Sequence, residues 1–308
     1  MEGGTTGIAR MDPSVREIVE AMPGWSSASR LEAHPIPGGI TNRNFRVDVD
    51  GASYVVRIPG ARTELLGIDR RTEHVAARAA SDLGVAPEVV AFLPDRGVLV
   101  TRFVEGEPID EAEMAAPATM ARVADRLRTL HGGPEVPGTF SPFRFVERYR
   151  QVAEDHGAQV PGAYGTLLDR ARRIEAVLGE FTPRFCHNDL LNANFIRWGE
   201  RIVIVDYEYA GMGDIFFDLA NFSVNHSFGD EAERALLGAY FGRATDRDHA
   251  RLKLMRVMSD FREAMWGVAQ QGLSTLDFDY VDYADRHFRR CLDAAEDHRL
   301  EAWLQEAE

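Results

Sequence analysis

Two cysteines in 308 residues, Cys186 and Cys291, exclude a disulfide framework and show no metal-type spacing. Cys186 closes a short apolar stretch and reads as a small buried hydrophobe rather than a nucleophile. Long apolar runs are missing too. No window approaches the roughly 18 residues needed to span a bilayer, and Met1 to Arg16 lacks a basic segment followed by an apolar one. These absences lead to the expectation of a cytoplasmic protein without membrane insertion. Positive charge is in deficit: 35 Lys and Arg stand against 49 Asp and Glu, a formal net charge of -14. Such a balance opposes an extended grip on nucleic acid or acidic membrane and suits a small cationic partner, although acidity often serves solubility alone. Internal repeats and low-complexity tracts are absent as well.

What is present is enough for a core, at 45% hydrophobic residues. Leu31 to Ile36, Asn44 to Val49 and Ser53 to Ile58 read as an antiparallel meander, with turns at Pro37 to Thr41 and Asp50 to Ala52. A helix is expected over Asp69 to Asp82, then strands at Val89 to Leu93 and Gly97 to Phe103. Glu105 to Pro108 punctuates the chain, and beyond it the pattern turns helical: Met114 to Leu130, Ser141 to Val152, Tyr164 to Leu178, Asp218 to Val224, Glu231 to Phe241, Asp246 to Gln270 and Tyr280 to Trp303. Short strands at Arg184 to Cys186, Phe195 to Trp198 and Ile202 to Asp206 interrupt it around a polar loop. The expected architecture is α+β with two lobes. Residues 17–104 would form a small, mainly antiparallel-sheet nucleotide-binding lobe, and 105–308 a larger helical lobe with the loop, a metal site and the substrate pocket.

That loop, His187 to Asn194, is the richest in chemistry. Asn188, Asn192 and Asn194 disfavour regular helix, so the backbone can turn Asp189 and Asn194 toward one point. Asp189 can orient an alcohol and accept its proton, and Asn194 supplies an uncharged oxygen for Mg2+. Asp206, at the end of the apolar run Ile202 to Val205, can hold a carboxylate against the same ion. A plain polar turn, or a zinc site from His187, Asp189 and Asp206, are the competing readings; the asparagines favour a hard, oxygen-preferring cation. Gly38 and Gly39, between two strands and followed by Thr41, Asn42 and Asn44, could lower backbone N–H groups onto phosphates, although such pairs often mark only a turn. Arg57, flanked by Val55, Val56 and Ile58, could pair with Glu73 and aim its fork at the α- and β-phosphates; the alternative is a surface strand near a helix carboxylate.

Taken together, Gly38 to Asn42, Val55 to Ile58, the run His187 to Leu191 with Asn194, and Asp206 to Tyr209 resemble the choline and ethanolamine kinase family, within the protein-kinase-like aminoglycoside phosphotransferase group. The resemblance runs from about residue 30 to residue 295. It implies a kinase fold using ATP and Mg2+, with Asp189 as catalytic base and Asn194 and Asp206 as metal ligands. Arg57 paired to Glu73 would clamp the ATP phosphates, and main-chain groups of Arg102 and Val104 would hold the adenine. Asp214 and Asp218 would support the loop, Asp218 structurally.

The resemblance also implies a pocket in which Tyr209, Trp266 and Tyr283 border the substrate ammonium by cation–π attraction, with Glu208, Asp189 and Glu263 adding negative charge. One departure tempers it. Animal choline kinases carry a second tryptophan three residues beyond the first, where this chain has Ala269, so a thinner wall could favour ethanolamine or another amino alcohol. The leading expectation is phosphorylation of choline, ethanolamine or a similar amino alcohol. The alternatives are an aminoglycoside, thiamine or sugar kinase of the same fold, and a nucleotide-binding regulator without transfer. Choline kinases are often dimers, so the resemblance allows a homodimer.

Overall fold

Alternating apolar residues dictate the first sheet. Phe45, Val56 and Val100 face one another across three strands and are buried with Val47 and Val98. In this computed structural model residues 11–38 and 41–308 are described; Gly39 lies outside them. The chain divides into two compact units, one taking residues up to Thr63 plus Pro87–Glu105, the other Glu64–Ala86 plus Gly106–Glu308.

The first unit is an antiparallel sheet of β1 (Leu31–Ile36), β2 (Asn42–Val49), β3 (Ala52–Pro59), β4 (Val89–Leu93) and β5 (Val98–Arg102), in the order β1-β2-β3-β5-β4. All five strands were expected, to within two residues. Helix α1 (Pro13–Ala21), which was not, covers one face with Val15, Ile18 and Val19. Its signals were available: Asp12 accepts the Ser14 N–H at 2.9 Å as a cap, and Pro13 opens the first turn.

The second unit begins with α2 (Arg70–Asp82), tied to it by main chain: Arg148 donates to the carbonyls of Glu64 and Leu65, and Ile204 N–H donates to Val85 O at 2.9 Å. Helices follow in the expected order with three adjustments. Met114 to Leu130 is two helices, α3 (Glu111–Met114) and α4 (Pro117–His131), because Pro117 cannot donate into a continuous ladder and instead starts a new helix. After α5 (Pro142–Asp155) and α6 (Ala163–Leu178), strand β7 (Arg184–Cys186) pairs with β10 (Gly211–Gly213), while β6 (Glu107–Pro108), β8 (Phe195–Trp198) and β9 (Arg201–Ile204) form a second small sheet. Asp206 therefore stands two residues past its strand, not at its end, and its φ of 72° is incompatible with continuing it. The last adjustment follows α7 (Ile215–Asn225), α8 (Asp230–Phe241) and α9 (Asp246–Leu273): Tyr280 to Trp303 divides into α10 (Tyr280–Ala295) and α11 (Leu300–Ala307), with Asp297 accepting the Arg299 N–H at 2.8 Å in the turn between.

Helix α9 is buried on nearly every face, which places its polar residues inside the protein. Its close approach to α10 depends on Gly267, where a Cβ would come within 3.1 Å of both Ala284 and Tyr283. Among the described residues no helix is long and apolar enough to cross a membrane. The architecture is a protein-kinase-like α+β fold, with a small antiparallel-sheet unit and a larger helical one.

Candidate active site

The polar loop owes its shape to one face of α7. Asp218, Asn221 and Asn225 fall at i, i+3 and i+7, on one side of the helix. Asp218 is fully buried and accepts the N–H groups of His187 at 2.8 Å and Asn188 at 2.6 Å. Asn221 accepts the Leu190 N–H at 2.6 Å, and Asn225 donates to Leu190 O at 3.2 Å. Asn188, at φ 65°, turns the chain and donates its amide to Tyr209 O at 3.1 Å. Asp214 caps α7 through the Phe216 N–H, and His131, itself bonded to Tyr240, meets Asp218 at 3.0 Å. Asp218 and Asp214 thus serve the backbone.

The loop's own side chains converge from this frame. His187 Nε2 lies 2.9 Å from Val205 O, which can only accept, so Nε2 carries the proton and Nδ1 is left to accept the Asp189 N–H at 3.3 Å. With both nitrogens engaged, His187 cannot join Asp189 and Asp206 around zinc. Asn194 donates Nδ2 to Asp189 O at 2.8 Å, which directs its other amide atom, the oxygen, elsewhere, and Asn194 O accepts the Val205 N–H at 3.0 Å beside Asp206. The donors at this end are carboxamide and carboxylate oxygens, a set that fits Mg2+. The Asp189 carboxyl is pushed well above the ordinary carboxylate range by burial, against the pull of Arg262, with Glu263, Asp206 and Glu208 adding to the rise.

The expected aromatics are together. Trp266 donates Nε1–H to the Tyr209 hydroxyl at 3.0 Å and packs edge-on against Tyr283 with ring centres 5.4 Å apart. They do not stand as three bare faces. The Arg262 guanidinium lies over the Tyr209 ring, 4.2 Å from its centre, and its Nη1 reaches both Asp189 Oδ1, at 3.4 Å, and Glu263. Glu263 also accepts the Tyr283 hydroxyl at 2.7 Å. Burial would raise the Glu263 carboxyl, but Arg262, His287 and Tyr283 together bring it below the ordinary range. Glu208 meets Arg70 Nη1 at 3.1 Å, and the same nitrogen donates to Glu73 at 2.7 Å.

In the sheet unit, Gly38 has φ 99° and Asn42 is buried. Gly60 N–H donates to Thr41 O at 3.2 Å, and a Cβ at Gly60 would lie 2.3 Å from that oxygen, so the end of the hairpin demands glycine there. Arg57 sits on the central strand between Asn44 and Leu99, and alternation points it away from the face that buries Val56. The Arg102 N–H is engaged by Glu88 O at 2.8 Å, which leaves the carbonyl as its main-chain contribution. Val104 follows just after β5.

Among the described residues two other clusters hold potential metal-binding atoms, His131 with Cys186 and Asp218, and Asp230 with Glu233 and His249. Neither suits a cation. Asp218 is occupied by two N–H groups and a histidine, and Glu233 already carries Lys253 and Arg256. Sequence reasoning missed Asn221, Asn225, His131, Arg70 and Arg262. Spacing from Asp218 could have revealed the two asparagines; nothing in the local pattern around Arg262 marks it.

The phosphotransferase enzyme family matches residues 32–255. The chain is 27% identical to ethanolamine kinase 2 of Mus musculus over 310 residues, covering 90% of this chain and 79% of that one. It is 27% identical to protein LicA of Haemophilus influenzae, covering 77% and 74%. The crystal structure of a choline/ethanolamine kinase family protein from Mesorhizobium loti superposes with a TM-score of 0.81 at 32% identity, covering 96% of this chain and 98% of that chain.

Proposed function

The chain belongs to the phosphotransferase enzyme family, and on that premise we propose that it transfers the γ-phosphoryl group of ATP to the hydroxyl of choline, ethanolamine or a similar small amino alcohol. Fold and homology to choline/ethanolamine kinase family proteins support an ATP-dependent small-molecule kinase. The observation that carries the acceptor class is the joining of Tyr209, Trp266 and Tyr283, linked to the buried Asp189 through Arg262.

Asp189 accepts the hydroxyl proton as the substrate oxygen bonds to the γ-phosphorus and the bond from phosphorus to the ADP oxygen breaks. Its raised proton affinity suits that role. Asn194 and Asp206 would hold Mg2+, which when bound neutralises charge on the phosphate oxygens. Arg57 is assigned to the remaining phosphate charge. A lysine clamp is ruled out, because the only lysine of the sequence is Lys253, which pairs with Asp230 at 2.5 Å and Glu233 at 2.7 Å. Gly38, Thr41 and Asn42 would line the triphosphate, with the Arg102 carbonyl and Val104 N–H on the adenine edge. Glu208 and Glu263 would add negative charge for the acceptor ammonium.

The test is ADP release by the full chain with Mg-ATP and choline, ethanolamine, an aminoglycoside, thiamine or a sugar. Turnover concentrated in the amino alcohols is expected. Its absence there, with turnover of another member, replaces this reading by that substrate.

A further inference from the structure

Resting on the amino-alcohol reading and narrowing it, the geometry points to Arg262 as a substrate-binding residue that selects acceptors carrying a carboxylate beside the reacting hydroxyl. Arg262 is among the largest fully buried side chains of the protein, 1% exposed. Its Nη1 is shared between Asp189 and Glu263, yet Nε and Nη2 are buried without a hydrogen-bond partner. Those two nitrogens form one edge of the guanidinium, where their N–H bonds run parallel at the spacing of two carboxylate oxygens. Leaving donors of a charged group buried and unmatched costs more than most single interactions contribute, so an acceptor belongs there. The Tyr149 phenol interacts with the guanidinium through both charge and its hydroxyl and donates its own proton to Leu66 O at 3.2 Å, yet it does not lie in hydrogen-bonding geometry with Nε or Nη2.

The surrounding charges argue the same way. Asp189, Glu263 and Glu208 each already face an arginine. The Tyr209 ring, which would attract a quaternary ammonium, is covered by one. A zwitterionic acceptor brings an anion for the unmatched guanidinium edge in addition to an ammonium for the carboxylates that share Arg262. The transfer chemistry is unchanged: the hydroxyl proton goes to Asp189, the new oxygen–phosphorus bond forms, and ADP leaves.

Matched acceptors isolate the carboxylate, since L-serine is ethanolamine with a carboxylate added and L-homoserine stands in the same relation to 3-aminopropanol. Initial rates of ADP release by the full chain with Mg-ATP should give kcat/KM about tenfold or more higher for the carboxylated member of each pair. Arg262→Lys keeps the charge opposite Glu263 but lacks the parallel edge, so it should bring the ratio toward one. A ratio taken within one preparation does not depend on the folded fraction. Ethanolamine or choline preferred over the carboxylated partners, or a ratio untouched by Arg262→Lys, would overturn the assignment while leaving the amino-alcohol reading standing; the edge would then hold only ordered water. No ADP release from any amino alcohol, carboxylated or not, overturns both.

Discussion

Helix α9 takes part in two buried charge centres, one around Glu233 of α8 and one around its own Arg262, and they are built differently. Around Glu233, completely buried, the carboxylate receives Ser223 Oγ at 3.1 Å, His249 Nε2 at 2.9 Å, Lys253 Nζ at 2.7 Å and Arg256. Less than three turns beyond Lys253 on α9, Arg262 shares one nitrogen between two carboxylates and leaves two others unmatched. The first centre is saturated by its own chain, as a structural ion cluster must be. The second is complete only with something added, and it touches the group assigned as the base. Burial and charge alone do not separate structure from function; how fully each hydrogen-bonding position is answered does.

The largest effect should come from Asp189→Asn, the change that most directly breaks the contrast. Asparagine still offers an oxygen to Arg262, so the fold should survive, while loss of the proton acceptor should lower kcat by about 10²- to 10⁴-fold with ATP binding retained. Steady-state kinetics together with nucleotide titration check this. Near-normal kcat would remove Asp189 from its assigned role. Glu233→Gln is the converse. It leaves Lys253 and Arg256 buried opposite a neutral group and should cost about 3 to 5 kcal/mol in urea denaturation, the range for breaking a buried pair from one side. The folded fraction should turn over at the normal rate, and a fall in kcat of the folded enzyme would dissolve the distinction between the centres.

The same contrast explains what could be read in advance. The loop from His187 to Asn194 was legible because its chemistry is contiguous, and the flanking strands announce themselves by apolar runs. The main sheet was legible for the same reason. Helix breaks at Ala115–Ala116 and Glu296–Arg299 were not, since apolar spacing continues across them and only Pro117 and Asp297 reset the backbone. Arg262 was illegible for a deeper reason. Its role arises from Tyr209, Asp189 and Glu263 meeting in space, and an arginine at that place in a helical pattern reads as solvent-facing.

The smallest expected effect belongs to Trp266→Phe, which probes whether the aromatic wall beside Arg262 belongs to the acceptor or only to the core. Phenylalanine keeps an apolar ring for the edge contacts with Tyr280 and Tyr283, whose centres lie 5.8 and 5.4 Å from that of Trp266. What it removes is the Nε1–H bond to the Tyr209 hydroxyl, worth about 1 kcal/mol of stability net. Because Tyr209 supports the Arg262 guanidinium, loosening its hydroxyl should raise the acceptor KM a few fold and leave the ATP KM where it was. Urea denaturation and paired KM measurements separate the two consequences. If stability falls but both constants stay put, Trp266 is packing and the acceptor wall lies elsewhere; if the acceptor constant alone moves, the chain from Trp266 through Tyr209 to Arg262 is the surface on which substrate choice is made.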